Sequence, residues 1–106
     1  MNDQKTLVEI IADMEKTYCR LRFSIAKFAT ERKALGKVKF ANRTPEHKAI
    51  DDKAEMYKFH MENTADTLFG LYRYKGQTIS KMQFWGICDK LYEAYIVKKA
   101  EKKAQV

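Results

Sequence analysis

Residues 6–36 read TLVEIIADMEKTYCRLRFSIAKFATERKALG, and this stretch decides the fold class. Leu7, Ile10, Ile11, Met14, Tyr18, Leu21, Ile25 and Phe28 recur at spacings of three and four, which places them on one stripe of an α-helix. A half-buried strand would instead alternate at two. Thr6 followed by Glu9 has the pattern of a capping box, and Gly36 supplies the stop. The spacing therefore predicts an amphipathic helix over about 6–35.

The same signals recur outward from it. Thr44-Pro45 is a second start, with Thr as N-cap and Pro at a first helical position whose N–H would be unpaired anyway. Ile50, Ala54, Tyr57, Met61, Ala65, Leu68 and Tyr72 carry the stripe to Gly76, so the second helix covers about 45–75. Gly70 within it marks a close helix crossing or an early end. Ser80 and Gln83 form the third start, with Ile79 placed to staple onto Phe84, and the third helix covers about 81–99. A basic loop over 36–44 joins the first two helices, and a polar tail over 102–106 is expected to fray. Short connections make sequential helices antiparallel neighbours. The expected fold is all-α: one domain over 1–106, a three-helix antiparallel up-down-up bundle that association with a second copy would complete.

Composition narrows the classes of function. A chain of 106 residues, 45% hydrophobic, is enough for one core. Its net charge of +7 favours anionic partners. Cys19 and Cys88, the two cysteines, sit inside helical patterns and read as free thiols of a reducing, cytoplasmic setting. No leader pattern opens the chain, and its apolar runs are too short for a membrane span.

The charge is blocked along the chain: residues 16–48 carry ten cations against two carboxylates. In an up-down-up bundle the end of the first helix, the start of the second and the end of the third share one pole. Arg32, Lys33, Lys37, Lys39, Arg43 and Lys48 are expected to meet Lys98, Lys99, Lys102 and Lys103 there, with Phe40 in the loop as a stacking surface. Helix C-termini favour cations in any case, so part of this pole is explained by the helix dipole. Lys16, Arg20, Phe23 and Lys27 form a second basic stripe, on the side of the first helix opposite the Met14–Tyr18–Leu21–Ile25 line. Phe23 is expected to point away from the core, unless a second neighbour packs on that side.

Two faces carry more apolar surface than a peripheral helix needs. In the third helix Phe84, Trp85, Ile87, Cys88, Leu91, Tyr92, Tyr95 and Ile96 cover over half the circumference. In the second, Met56, Phe59, Thr67, Gly70 and Tyr74 form a stripe away from the core line. Phe59, Tyr74, Trp85, Tyr92 and Ile96 are thus candidates for a protein interface, including one between copies of this chain.

Catalytic chemistry has little support. Gly36-Lys37-Val38-Lys39 lacks the upstream glycine and the strand-to-helix context of a phosphate loop. His47, Asp51 and Glu55 are four apart on one side of the second helix, a row that supplies too few metal ligands and reads as an exposed polar face. No catalytic residue, metal or cofactor is expected. The expected function is a non-enzymatic module that binds nucleic acid through its Lys/Arg pole and basic-aromatic stripe, largely without base readout. The alternative is an inhibitor, adaptor or small subunit that docks on an acidic protein through the third helix and the basic surface.

Overall fold

The computed structural model describes residues 5–104, which form α1 (Leu7–Ala34), α2 (Pro45–Tyr74) and α3 (Lys81–Ala104), with a 3-10 turn at Phe40–Asn42 between the first two. Each helix starts where its capping residues predict. Thr6 Oγ1 accepts from the Glu9 amide at 3.2 Å. Thr44 Oγ1 accepts from the His47 amide at 3.3 Å, with Pro45 at the first helical position. At α3 the box is reciprocal, since Ser80 Oγ accepts from the Gln83 amide and Gln83 Oε1 accepts from the Ser80 amide. Gly36 and Gly76, at φ 85° and 99°, end α1 and α2 in the left-handed region. Beyond Gly76 the Gln77 amide closes back onto the Tyr72 carbonyl at 3.1 Å, satisfying an end of α2 that water would otherwise have to serve.

Two expectations are corrected here. Lys102 and Lys103 are helical, because Ala100, Glu101 and Ala104 are strong helix formers and no Gly or Pro intervenes; residues 105–106 of the expected tail lie outside the described residues. Gly70 marks neither a crossing nor an end, since α2 runs straight through it and an added Cβ would meet nothing within 4 Å. Gly86 in α3 is equally open. Gly70→Ala and Gly86→Ala should each stabilise the protein by about 0.5–1 kcal/mol, by reducing the freedom of the unfolded chain. Urea unfolding of the two variants checks this, and a loss of stability would mean that the open side of the helix is occupied.

Helices α1 and α2 form an antiparallel hairpin along their whole length. Arg32 bonds Asp51 near the connection, Phe28 meets Tyr57 edge to face at 5.1 Å in the middle, and the Tyr72 hydroxyl reaches Glu15 at 2.5 Å towards the far end. The third helix docks on the open end of this hairpin. Phe84 lies against the rings of Phe69 and Tyr72, and with Cys88 it joins Ile11, Tyr18, Cys19, Ala65, Leu68 and Tyr72 in one buried core. Cys88 is the last buried residue of α3. Further along, Arg22 of α1 holds Asp89 at 2.9 Å and lies over the Tyr92 ring at 4.4 Å.

The product is a three-helix bundle with a broad, open outline. Its radius of gyration is 17.1 Å, against about 13 Å for a compact domain of this length. Three slender helices side by side would be about 20–25 Å across. The observed extents of 51 × 36 × 35 Å thus mean that α3 is inclined away from the hairpin it docks on.

The core is rich in groups that ionise in alkali. Burial pushes the Tyr18 phenol and the Cys19 thiol above their ordinary values, and pushes Cys88 up to about 11. Tyr72 is raised further, first by burial and then by its bond to the Glu15 carboxylate. Each group keeps its proton more tightly folded than unfolded, so stability is intact below the ordinary thiol and phenol values of 9.0 and 10.0 and is lost as pH rises from there through the raised values of the folded state. The melting temperature should hold steady to about pH 8 and then fall steeply towards pH 11. A melting temperature unchanged at the alkaline end would contradict the burial of these four groups.

Candidate anion-binding groove

Helix α1 presents two flanks at helical spacing. One carries Met14, Tyr18, Leu21 and Ile25 on the line expected for the core. The other carries Ala12, Glu15, Lys16, Cys19 and Arg20, which face Leu91, Ala94, Tyr95, Lys98, Lys99 and Lys102 of α3 across a groove of about 540 Å³. The inclination of α3 opens this groove. A single stripe of α3 is core at Phe84 and Cys88, then becomes groove wall at Leu91, Tyr95, Lys98 and Lys102 as the helices part.

Its floor is apolar and its rim is cationic. Ala12, Cys19, Leu91, Ala94 and Tyr95 supply the floor, while Lys16, Arg20, Lys98, Lys99 and Lys102 bring five positive charges from segments some eighty residues apart. Among the described residues none of the five is in an ion pair. Glu15 is the one carboxylate in the lining, and it already accepts the Tyr72 hydroxyl. Like charges converging on a concave, partly apolar surface reinforce one another's field and make a site for a polyanion.

Of the candidate binding residues, Lys16, Arg20, Lys98 and Lys99 come together here. Of the two readings of Phe23, packing on a second neighbour is the one observed: α3 is the second neighbour of α1, and Phe23 packs on the groove residue Tyr95 with ring centroids 6.2 Å apart. The Lys99 ammonium lies 4.1 Å over the Phe23 ring. Lys27, at the far end of the stripe, is exposed and outside the groove lining.

The expected single pole is divided. The basic end of α3 lies beside Lys16 and Arg20 instead of joining the α1–α2 connection, because α3 is inclined and its Lys99 is drawn onto Phe23. At the connection, Arg32 and Arg43 each hold Asp51 at 2.8 Å and so pin the loop to α2. Those two bonds keep the Asp51 carboxyl below its ordinary range. Arg43 also lies 3.9 Å over the Phe40 ring, occupying one face of the side chain expected to stack on a base. Lys33, Lys37, Lys39 and Lys48 are exposed around this connection.

The row His47, Asp51, Glu55 is not the exposed polar face its spacing implied. His47 is buried, its Nδ1 accepting from the Thr44 amide at 3.1 Å to complete the α2 capping box, and its Nε2 has no partner among the described residues. Asp51 is taken by the two arginines. No group of three metal-ligating side chains occurs among the described residues. The two cysteines are free and buried.

Of the interface candidates, Phe59 and Tyr74 are exposed on the side of α2 turned from α1. Trp85 and Ile96 are exposed on α3, and Tyr92 is half-buried beneath Arg22. Leu91 and Tyr95, which the sequence placed only on the apolar face of the third helix, line the groove, and Lys102, expected at the α1–α2 pole, joins them there. The signal for Lys102 was the unbroken helical composition past Lys99, which puts it one turn on from Lys98 and Lys99. No described helix is long and apolar enough to cross a membrane. Comparison of the chain with protein-family models, curated proteins and solved structures finds no match.

Proposed function

We propose that the protein is a non-enzymatic module that binds the backbone of a nucleic acid in the α1–α3 groove. The observation carrying this reading is the convergence of Lys16 and Arg20 with Lys98, Lys99 and Lys102 over an apolar floor. Five ammonium and guanidinium groups in one groove, with no ion pair among the described residues, suit successive phosphates. The polar apparatus that reads base edges is sparse there, so sequence preference is expected to be weak. Tyr95 offers a ring for stacking at the floor, and the exposed lysines of the α1–α2 connection extend the positive field. Two free, buried thiols are consistent with a cytoplasmic setting.

Binding to random single- and double-stranded oligonucleotides across a salt series tests the reading. If all five cations neutralise phosphates, log affinity should fall with log salt at a slope of about −3.5 for single strands and −4.5 for duplex. Between 50 and 200 mM salt that is a loss of roughly 100- to 500-fold. Absence of binding at the lowest salt would exclude this function and leave an acidic protein surface as the partner of the same groove.

A further inference from the structure

We propose that the protein forms a two-fold dimer in which α3 pairs with α3 of a second copy, antiparallel, along the seam Met82, Trp85, Asp89, Tyr92 and Ile96. This rests on observations independent of the groove and holds whatever the groove binds. The five positions are spaced three, four, three and four apart, the repeat that keeps one edge of a helix facing a partner helix. They lie about a quarter-turn of the helix from the Phe84–Cys88 line, so docking on the hairpin leaves Met82, Trp85 and Ile96 exposed, while Asp89 and Tyr92 meet Arg22 of α1. Met82 is 86% exposed, Trp85 46% and Ile96 41%. Tyr92 has one face under Arg22.

The area agrees. The chain exposes 8444 Å², where a compact monomer of this mass would expose about 6,200 Å². The surplus is shared with the open walls of the groove, and it leaves room for the roughly 800 Å² that each partner contributes to a standard interface. The back of α2 is a poorer seat, because its apolar residues Met56, Phe59 and Tyr74 are separated by Asn63, Thr67 and Gly70.

Charge chooses the direction. Parallel pairing would set Lys98, Lys99, Lys102 and Lys103 of both copies side by side. Antiparallel pairing sends these ends apart and also opposes the helix dipoles. Centred on Asp89, it sets Met82 against Ile96 of the other copy and Trp85 against Tyr92. The two Asp89 carboxylates meet at the centre, each already held by its own Arg22 at 2.9 Å.

Sedimentation of the full chain over a range of concentrations should show a species of twice 12.5 kDa. Trp85→Glu and Ile96→Glu, both at exposed positions, should each give a monomer with unchanged helical circular dichroism. A wild-type chain that stays monomeric at every concentration would overturn the proposal, as would variants that still dimerise. Direction is read by a short bis-maleimide: Met82→Cys and Ile96→Cys chains should cross-link to each other when mixed and neither to itself. The two positions are about 21 Å apart along one helix, so self-linking of either variant would mean parallel pairing and overturn the antiparallel seam.

Discussion

Phe84→Ala is expected to destabilise the protein by about 3–5 kcal/mol, which is a large part of the total stability of a domain this size. The ring is 2% exposed and touches three others, those of Phe69, Tyr72 and Trp85, so its removal leaves a hole among stiff aromatic rings. It is also one of the two buried residues of α3, with Cys88, while Ile87, Leu91, Tyr92 and Tyr95 are half-buried against the same core. The loss should therefore appear first as undocking of α3. Trp85, the one tryptophan, sits 5.4 Å from Phe84 and reports that event by fluorescence, while circular dichroism follows the hairpin. The fluorescence transition is expected to precede the dichroism transition in urea. Coincident transitions with the midpoint of the parent would show that α3 is held by something other than this ring.

The second large effect is on binding. Arg20→Glu, Lys98→Glu and Lys102→Glu together reverse three of the five groove charges at exposed positions that hold no other part of the fold. Lys99 is left in place because it packs on Phe23. Affinity for an oligonucleotide at low salt should fall by about two orders of magnitude or more, and the salt slope should flatten to below about 2 in magnitude. Lys37→Glu with Lys39→Glu, at the α1–α2 connection, is the contrasting pair and should change affinity by only a few-fold. A reversed ranking of the two variants would move the site to the connection.

The difference between those two sites is also where sequence reasoning reached its limit. Helix starts were legible because capping is local: Thr6, Thr44 and Ser80 act on amides three residues away, and nothing distant competes. Much of the core was legible from periodicity, since Tyr18, Leu68, Tyr72, Phe84 and Cys88 lie on the expected stripes, but Ile10 on the stripe is exposed and Cys19 beside it is buried, because α3 docks on that flank of α1. Which cations meet was not, because that depends on the angle of α3, and the angle is set by tertiary contacts. Phe23 on Tyr95, Arg22 on Asp89 and Lys99 on Phe23 together draw the basic end of α3 beside Arg20. His47 shows the converse case: its i, i+4 spacing to Asp51 suggested a solvated row, whereas its position three residues after Thr44 was the informative one.

The bundle's division of burial has a dynamic consequence. Helices α1 and α2 are zipped along their length, whereas α3 is only half-buried past Cys88, at Leu91, Tyr92 and Tyr95, and among the described residues its turns past Lys99 open at least free-energy cost. Their amides should exchange with solvent well before those of the hairpin. An anion bound across the groove spans the rigid wall of α1 and the loosely held wall of α3, and it stabilises the docked state in proportion to its occupancy. Order in the second half of α3 is thus coupled to ligand: the same inclination that opens the groove leaves one of its walls to be set by what binds there.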